Sequence, residues 1–277
     1  MRRIVHLSDV HFGTADPNVV ELVVANVNQI SPDVVVVSGD LTQRAKSVEF
    51  KQARVFLDRL PKPQIIVPGN HDVPLYNVLD RFLRALEKYE KYITKDLTPT
   101  FIDDEMAIVG VNTARSLTIK GGRISNEQIA FIQEQFCGLR EDMLKIVVTH
   151  HPFDLPHGHD EDDVVGHAEK AMPMIADCGG DVFLAGHLHV SNIETSANRY
   201  ELDNGRVALI IQAGTATSAR VRGEPHSFNV IEFDHPWLRI ERLECRSVSA
   251  GFLPAEHKIF RQTAGGWERI SRKTMEL

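Results

Sequence analysis

The chain has 277 residues, 43% hydrophobic and 25% charged, enough for a sizeable core in one large α/β domain or two small ones. Its formal net charge of -7 argues against duplex nucleic acid as a general partner, because such binding leans on clustered Lys and Arg. No apolar run approaches the ~20 residues of a membrane-spanning helix, and Cys137, Cys178 and Cys245, scattered and without a C-x-x-C, predict a reduced, cytoplasmic chain with no disulfide framework.

Residues 4–7 are a short β-type run with no signal-peptide h-region before them, so a cleaved leader is not expected. Asp16-Pro17 supplies an N-cap and a first helical residue, after which Leu22, Val23, Val27 and Ile30 keep helical spacing. Residues 34–37 are a continuous β-branched run, as in a strand covered on both faces. Ser47 opens a helix with Phe50, Ala53 and Leu57 on one face, and residues 65–67 form the next buried strand. Leu75, Leu79, Phe82 and Leu86 predict a longer helix running to about Ile93. Residues 106–111 read as a strand. Ser125 followed by Gln128 is a capping box before a helix that reaches Phe136, with Gly138 as its stop. Strands are predicted over 146–149 and 182–185, with a helix over 168–176 between them. Hairpins follow: Ile193 and residues 207–211 flank the turn Asp203-Asn204-Gly205, and residues 228–233 precede 237–243. Alternating β and α followed by hairpins predicts one domain in which two sheets pack face to face with helices outside.

Five of these strands end in polar, metal-competent groups. Asp9 and His11 follow the first, Gly39 and Asp40 the second, and Gly69, Asn70, His71 and Asp72 the third. His150 and His151 follow residues 146–149, and Gly186, His187 and His189 follow 182–185. Open α/β sheets bind ligands at that edge. Taken alone, Asp40 would be a cap and a buried histidine a hydrogen-bonded core residue. The ordered series D-x-H, G-D, G-N-H-D, H-H-P, G-H-x-H is what needs a joint explanation.

That series resembles the metallophosphoesterase (calcineurin-like phosphoesterase) superfamily, with purple acid phosphatases and Ser/Thr protein phosphatases as distant relatives. Ser8, Val-Ser-Gly-Asp-Leu (37–41), Val-Pro-Gly-Asn-His-Asp (67–72) and Val-Asn-Thr (111–113) are similar to the branch of class III cyclic nucleotide phosphodiesterases and bacterial glycerophosphodiesterases. The resemblance implies an α/β fold, a four-layer αββα sandwich of two mixed β-sheets flanked by helices. Residues 1–246 would be the catalytic domain and 247–277 a C-terminal extension packed on it or continuing it. It further implies two divalent metal ions. Asp9, His11 and His189 would hold one, and Asn70, His150 and His187 the other, with Asp40 bridging. Manganese or iron comes first for such donors, with zinc, cobalt or nickel as alternatives; magnesium rarely takes so many imidazoles. His71 would face the phosphate as the catalytic group, Asp72 would orient the local turn or His71, and His151 and Arg115 would support the site or the substrate.

Two such cations can clamp phosphoryl oxygens and activate a water as nucleophile, and His71 could stabilise the developing negative charge or protonate the leaving oxygen. The expected activity is hydrolysis of a small organic phosphodiester of cyclic nucleotide or glycerophosphodiester type, by a protein without a membrane anchor, homo-oligomerisation being left open. A DNA exonuclease would want a basic surface and a gripping domain. A nucleotide pyrophosphohydrolase acting on lipids would want an amphipathic helix. A silent scaffold should lack ligands. The segment 154–167, with His157, His159, Asp160, Glu161, Asp162, Asp163 and His167, reads as a solvated loop or as a wall over the site. Arg220 and Arg222 are further candidates to reach phosphate.

Overall fold

Strands β1 (Arg2–Leu7), β2 (Val34–Ser38) and β3 (Gln64–Val67) run parallel, and their hydrophobic runs alternate between two cores. Ile4, Val34, Val36, Ile65 and Val67 point one way, and Val5, Leu7, Val35, Val37 and Ile66 the other. A strand with both faces buried needs a layer on each side, which is why β2 is β-branched from Val34 to Val37. The computed structural model describes residues 1–74, 84–115, 121–156, 158–202, 204–218 and 224–270.

The first sheet has the order β13-β12-β11-β10-β1-β2-β3, completed by β10 (His226–Asp234), β11 (Trp237–Cys245), β12 (Leu253–Thr263) and β13 (Gly266–Ile270), all antiparallel to their neighbours. The second has the order β4-β5-β6-β7-β9-β8. Its parallel centre is β5 (Met106–Gly110), β6 (Leu144–Val148), β7 (Val182–Ala185) and β9 (Leu209–Gln212). The antiparallel strands β4 (Thr100–Ile102) and β8 (Asn192–Thr195) flank it. Both sheets are therefore mixed. They meet across a core where Val36, Ile65 and Ile231 face Ile146, Val182 and Ile211.

Helices cover the outer faces. Helix α1 (Pro17–Ile30) buries Val20, Val23 and Val27 on the first sheet, beside Phe50, Ala53 and Leu57 of α2 (Ser47–Asp58) and Tyr89 of α3 (Glu87–Tyr92). Helices α4 (Asn126–Phe136) and α5 (Ala168–Ala176) bury Ile129, Ile132, Phe136, Met172 and Ile175 on the second. The result is the αββα order. Asp16 caps α1 through Asn18 N at 2.9 Å, and Ser125 with Gln128 forms the reciprocal capping box of α4, as the spacing predicts. No described helix is long and apolar enough to cross a membrane.

The structure differs from the sequence expectations in several places. Of the helix expected over 75–93, the described part is α3; positions 75–83 lie outside the described residues. Arg220, Arg222, His157 and Asp203 also lie outside them. Residues 253–270 form a hairpin that widens the first sheet, a pairing no local pattern announced. The prediction of a chain without disulfides is overturned. Cys137, at the end of α4, is bonded to Cys178, just past α5, with the Cα atoms 4.6 Å apart. The two helices lie side by side on the second sheet, which brings together cysteines 41 residues apart that share no spacing signature. The expected reducing compartment loses its support with it.

Two predictions follow from this packing. Thiol titration of the denatured, unreduced chain is expected to find only Cys245 free, and all three cysteines after reduction; three thiols without reductant would mean that the pair is open. The second concerns Asp181, buried just before β7, where burial pushes its carboxyl up to about 7 against the pull of Arg206 and Lys145. A raised folded-state value means that the native state holds the proton more tightly. Stability relative to Asp181→Asn should then fall as pH rises from about 4 to about 7, by a few kcal/mol at most, since each pKa unit is worth about 1.36 kcal/mol. Urea unfolding of both proteins across that range measures it, and a flat difference would contradict the buried, proton-holding carboxyl.

Candidate metal centre

The two sheets present the C-terminal ends of β1, β2, β3, β6 and β7 to one place. Immediately past those ends the backbone turns left-handed at Asp9 (φ 52°), His11 (51°), Asp40 (52°), His187 (76°) and His189 (61°). Non-glycine residues avoid this region, at roughly 1–3 kcal/mol each. The turns are held by main-chain bonds that prolong the sheet pairing: Asp9 N donates to Gly39 O (3.2 Å), His11 N to Asp40 O (2.9 Å) and Gly186 N to His150 O (3.1 Å). Close approach fixes residue type at two glycines. A Cβ at Gly69 would collide with the Asp40 carboxylate, and one at Gly186 with Ser8 Oγ and Asp9 Oδ2.

One group of ligand atoms comes from Asp9, His11, Asp40 and His189, all buried and within 4.8 Å of one another. His11 Nε2 and His189 Nε2 stand 3.5 and 3.4 Å from Asp9 Oδ1, too long for hydrogen bonds, and 3.3 Å from each other. Asp9 Oδ1 is a buried carboxylate oxygen without a hydrogen bond. The second group joins His150, His151 and His187. Asn70 Oδ1 belongs with it, 3.0 Å from His150 Nε2 and 3.1 Å from His187 Nδ1. Asp40 reaches both groups, with Oδ2 3.5 Å from His11 Nε2 and Oδ1 3.4 Å from His150 Nε2. Imidazoles, carboxylates and an amide oxygen converging on an orphaned carboxylate oxygen fit borderline divalent cations.

Neighbouring groups orient these donors. His150 Nδ1 donates to Ser38 O (2.8 Å), which also accepts from Ser8 Oγ (3.2 Å), and Ser8 Oγ lies 2.6 Å from Asp9 Oδ2. His189 Nδ1 meets Thr215 Oγ1 at 2.6 Å, and His151 Nδ1 meets Thr113 Oγ1 at 2.8 Å. Such outer contacts fix ring orientation and tautomer. Burial opposes charge on Asp9, but the imidazoles of His189, His11 and His150 outweigh it and hold the carboxyl well below the ordinary range. Asp40 is lowered in the same way, burial being outweighed by His150, His11 and His71.

The remaining expected residues fall around this centre. His71 stands outside both groups, its ring edge-on to His11 with centroids 4.9 Å apart and its Nδ1 bonded to Gln43. Asp72 faces away from the ligand atoms and latches two loops, accepting from Leu41 N, Thr42 N, Thr42 Oγ1 and Gly69 N at 2.9–3.1 Å. Burial and the Asp40 charge raise its carboxyl to about 6 against those four donors. Arg115 is half-buried and no described hydrogen bond or ion pair joins it to the cluster. In the 154–167 segment, Arg199 holds Asp154 and, with two bonds of 2.8 and 2.9 Å, Glu161, while Asp163 Oδ1 stands 3.5 Å from His187 Nε2. Of the acidic run only Asp163 adjoins the site; Asp160, Glu161 and Asp162 are exposed, as in a solvated loop. Gln43 and Thr215 were not singled out from sequence, since an isolated polar residue in a loop carries no spacing signal; Ser38 and Thr113 stand in the motifs Val-Ser-Gly-Asp-Leu and Val-Asn-Thr without a role read from them.

Three comparisons bear on this arrangement. The profile of the family described as "Calcineurin-like phosphoesterase" matches residues 2–191. The protein named "Probable glycerophosphodiester phosphodiesterase GpdQ" of Arcobacter nitrofigilis is 23% identical over 177 residues, 60% of this chain and 60% of that one. A "Probable cyclic nucleotide phosphodiesterase" of Synechococcus is 36% identical over 52 residues, 19% of this chain and 20% of that protein. The chain thus spans well under two thirds of the curated relatives it matches. Purple acid phosphatase PPD1 from yellow lupin shares the fold, with a TM-score of 0.66 at 14% identity over 93% of this chain and 53% of its own.

Because Asp40 reaches both groups and Asn70 only one, their removal should differ. Asp40→Ala is expected to lose metal from both positions, whereas Asn70→Ala mainly weakens one. Elemental analysis after gel filtration from excess Mn(II) reads the difference, and full occupancy in Asp40→Ala would remove that residue from a bridging place.

Proposed function

The chain belongs to the calcineurin-like phosphoesterase family, and from that premise we propose that it is a two-metal phosphohydrolase acting on a small organic phosphodiester. The observation that carries the proposal is the convergence of Asp9, His11, Asp40, Asn70, His150, His187 and His189 from five strand ends, with the Asp40 carboxylate between the two groups. Asp9, His11 and His189 would hold one cation and Asn70, His150 and His187 the other. Manganese or iron is the first choice by donor type. Bound cations would supply Lewis acidity to the phosphoryl oxygens and bring the pKa of a bound water from 15.7 to about 7.

The chain's own groups then divide the work. Asp40 offsets the repulsion between two positive charges. His71, outside both groups, faces the space beside His11 and gives a proton to the leaving alkoxide. Water adds to phosphorus, the bond from phosphorus to the leaving oxygen breaks, and an alcohol and a phosphomonoester result. General-acid help of this kind is typically worth ~10²–10⁴-fold.

A diester, rather than a monoester, is favoured by Asp163 beside His187. A monoester carries about -1.5 to -2 charges at pH 7, and a diester one. A carboxylate on the wall repels the dianion more. The names of the relatives, one of glycerophosphodiester and one of cyclic nucleotide type, support the same class.

The test is a panel of phosphodiesters and phosphomonoesters with Mn(II) added back to metal-stripped protein. Wild type is expected to prefer bis(4-nitrophenyl) phosphate to 4-nitrophenyl phosphate. His71→Ala should keep its metal and lose ~10²-fold or more on alkyl diesters, but far less on nitrophenyl esters, whose leaving group needs little protonation. Faster cleavage of the monoester by wild type would sink the diesterase reading.

A further inference from the structure

Both hydrogen-bond partners of His71 Nδ1 belong to one residue. The main-chain oxygen of Gln43 lies 2.8 Å from Nδ1, and the Gln43 side-chain amide, placed with Nε2 toward the ring and Oε1 toward Thr14, lies 3.1 Å from it. Gln43 is itself buried, and its own N–H donates to Phe12 O at 2.9 Å, so its carbonyl is fixed to the loop that carries Asp9 and His11.

We propose that Gln43 is the positioning residue of His71: its two carbonyl oxygens, main-chain and side-chain, share the Nδ1 proton and leave Nε2 as the nitrogen presented to substrate. The chemistry of the contacts requires this arrangement. A main-chain carbonyl only accepts, so Nδ1 must carry the proton. A protonated Nδ1 cannot also accept from an amide NH₂, so the amide turns its oxygen to the ring; amide O and N are placed by the hydrogen-bond network they make. With the oxygen so turned, the NH₂ meets Thr14 Oγ1 at 3.1 Å, and Thr14 passes its own proton to His11 O at 3.3 Å. The Nδ1–H, one amide N–H and the Thr14 hydroxyl then each have an acceptor. The chain Thr14–Gln43–His71 links the loops after β1, β2 and β3, which are the loops that carry Asp9, Asp40 and Asn70. Side chains from two other strand ends therefore set one imidazole. Its partner is a neutral amide, so the ring is oriented without a further negative charge beside the substrate's phosphate.

The inference rests on the reading of His71 as the group facing the leaving oxygen, and the experiment separates the two. Gln43→Met keeps the length of the side chain but accepts no hydrogen bond, and Gln43→Glu keeps an acceptor. In the zinc-loaded protein, ¹⁵N NMR of the neutral His71 ring should place the proton on Nδ1 in all three proteins, because the Gln43 main-chain carbonyl remains, and the Nδ1–H proton resonance should shift upfield in Gln43→Met, which has lost the second acceptor, but not in Gln43→Glu. In the manganese-loaded enzyme, Gln43→Met should lower kcat for an alkyl phosphodiester about tenfold, a part of the ~10²–10⁴ that a general acid supplies. KM and the rate on bis(4-nitrophenyl) phosphate should hardly change, and Gln43→Glu should restore the alkyl rate. Gln43→Met combined with His71→Ala should be no slower than His71→Ala alone. A wild-type proton on Nε2, equal losses on both substrates, or additive losses in the double variant would each overturn the proposal. Should wild type cleave no diester at all, the proposed function fails and the Nδ1–H resonance of the variants alone decides the role of Gln43.

Discussion

The candidate centre depends on a backbone constraint: five of its charged or imidazole side chains stand on residues that a polypeptide normally keeps out of the left-handed region. A straight continuation of β1 would place Asp9 and His11, two residues apart, on one face but ~6.6 Å from each other along the strand. Left-handed turns at both residues aim them together, and the same device serves His187 and His189. Strain of this kind persists only where the surroundings over-determine it. Here the loops are bonded to one another as if the sheet continued, and the strands beneath them are packed on both faces. The apolar sandwich is thus what holds the polar edge in shape.

Electrostatics adds a second dependence. Two buried carboxylates close to one another are unfavourable unless positive charge answers them. His189, His11 and His150 answer Asp9, and His150, His11 and His71 answer Asp40. The second sheet brings His150, His187 and His189 to the carboxylates of the first. Neither sheet alone carries a balanced set. The interface between the sheets has an apolar core and the metal-type donors meet at one rim of it, so the charge balance and the sheet packing stabilise the same relative placement.

Much of this was legible in the sequence, because it rests on local patterns. The β-branched run of β2, the Asp16-Pro17 start of α1 and the Ser125–Gln128 box are read from neighbours a few residues apart, and they form as read. The ligand-type residues stood out since each follows such a run. What escaped depends on distant partners. Strands β12 and β13 owe their pairing to β11 and to each other rather than to any apolar alternation, and residues 253–258 are mostly exposed. Cys137 and Cys178 meet only because α4 and α5 are neighbours. Gln43 and Thr215 gain meaning from one imidazole each, 28 and 26 residues away.

The place of β1 in the first sheet carries a consequence for how the chain is made. Its neighbours are β2, which follows it closely, and β10, whose pairing joins Arg2 to Phe233. At ~5–20 residues per second of synthesis, the N-terminal strand waits on the order of tens of seconds before its antiparallel partner has been translated. His187 N donates to Asp9 Oδ2 across 178 residues of chain, so the pocket closes over a comparable interval. Non-local pairing of this kind is slow to form and leaves strand edges open meanwhile. A nascent chain with β1, β2 and β3 complete has an unpaired β1 edge and half of its acidic and imidazole donors, and it is at that stage that chaperones and stray metal ions would find it most accessible.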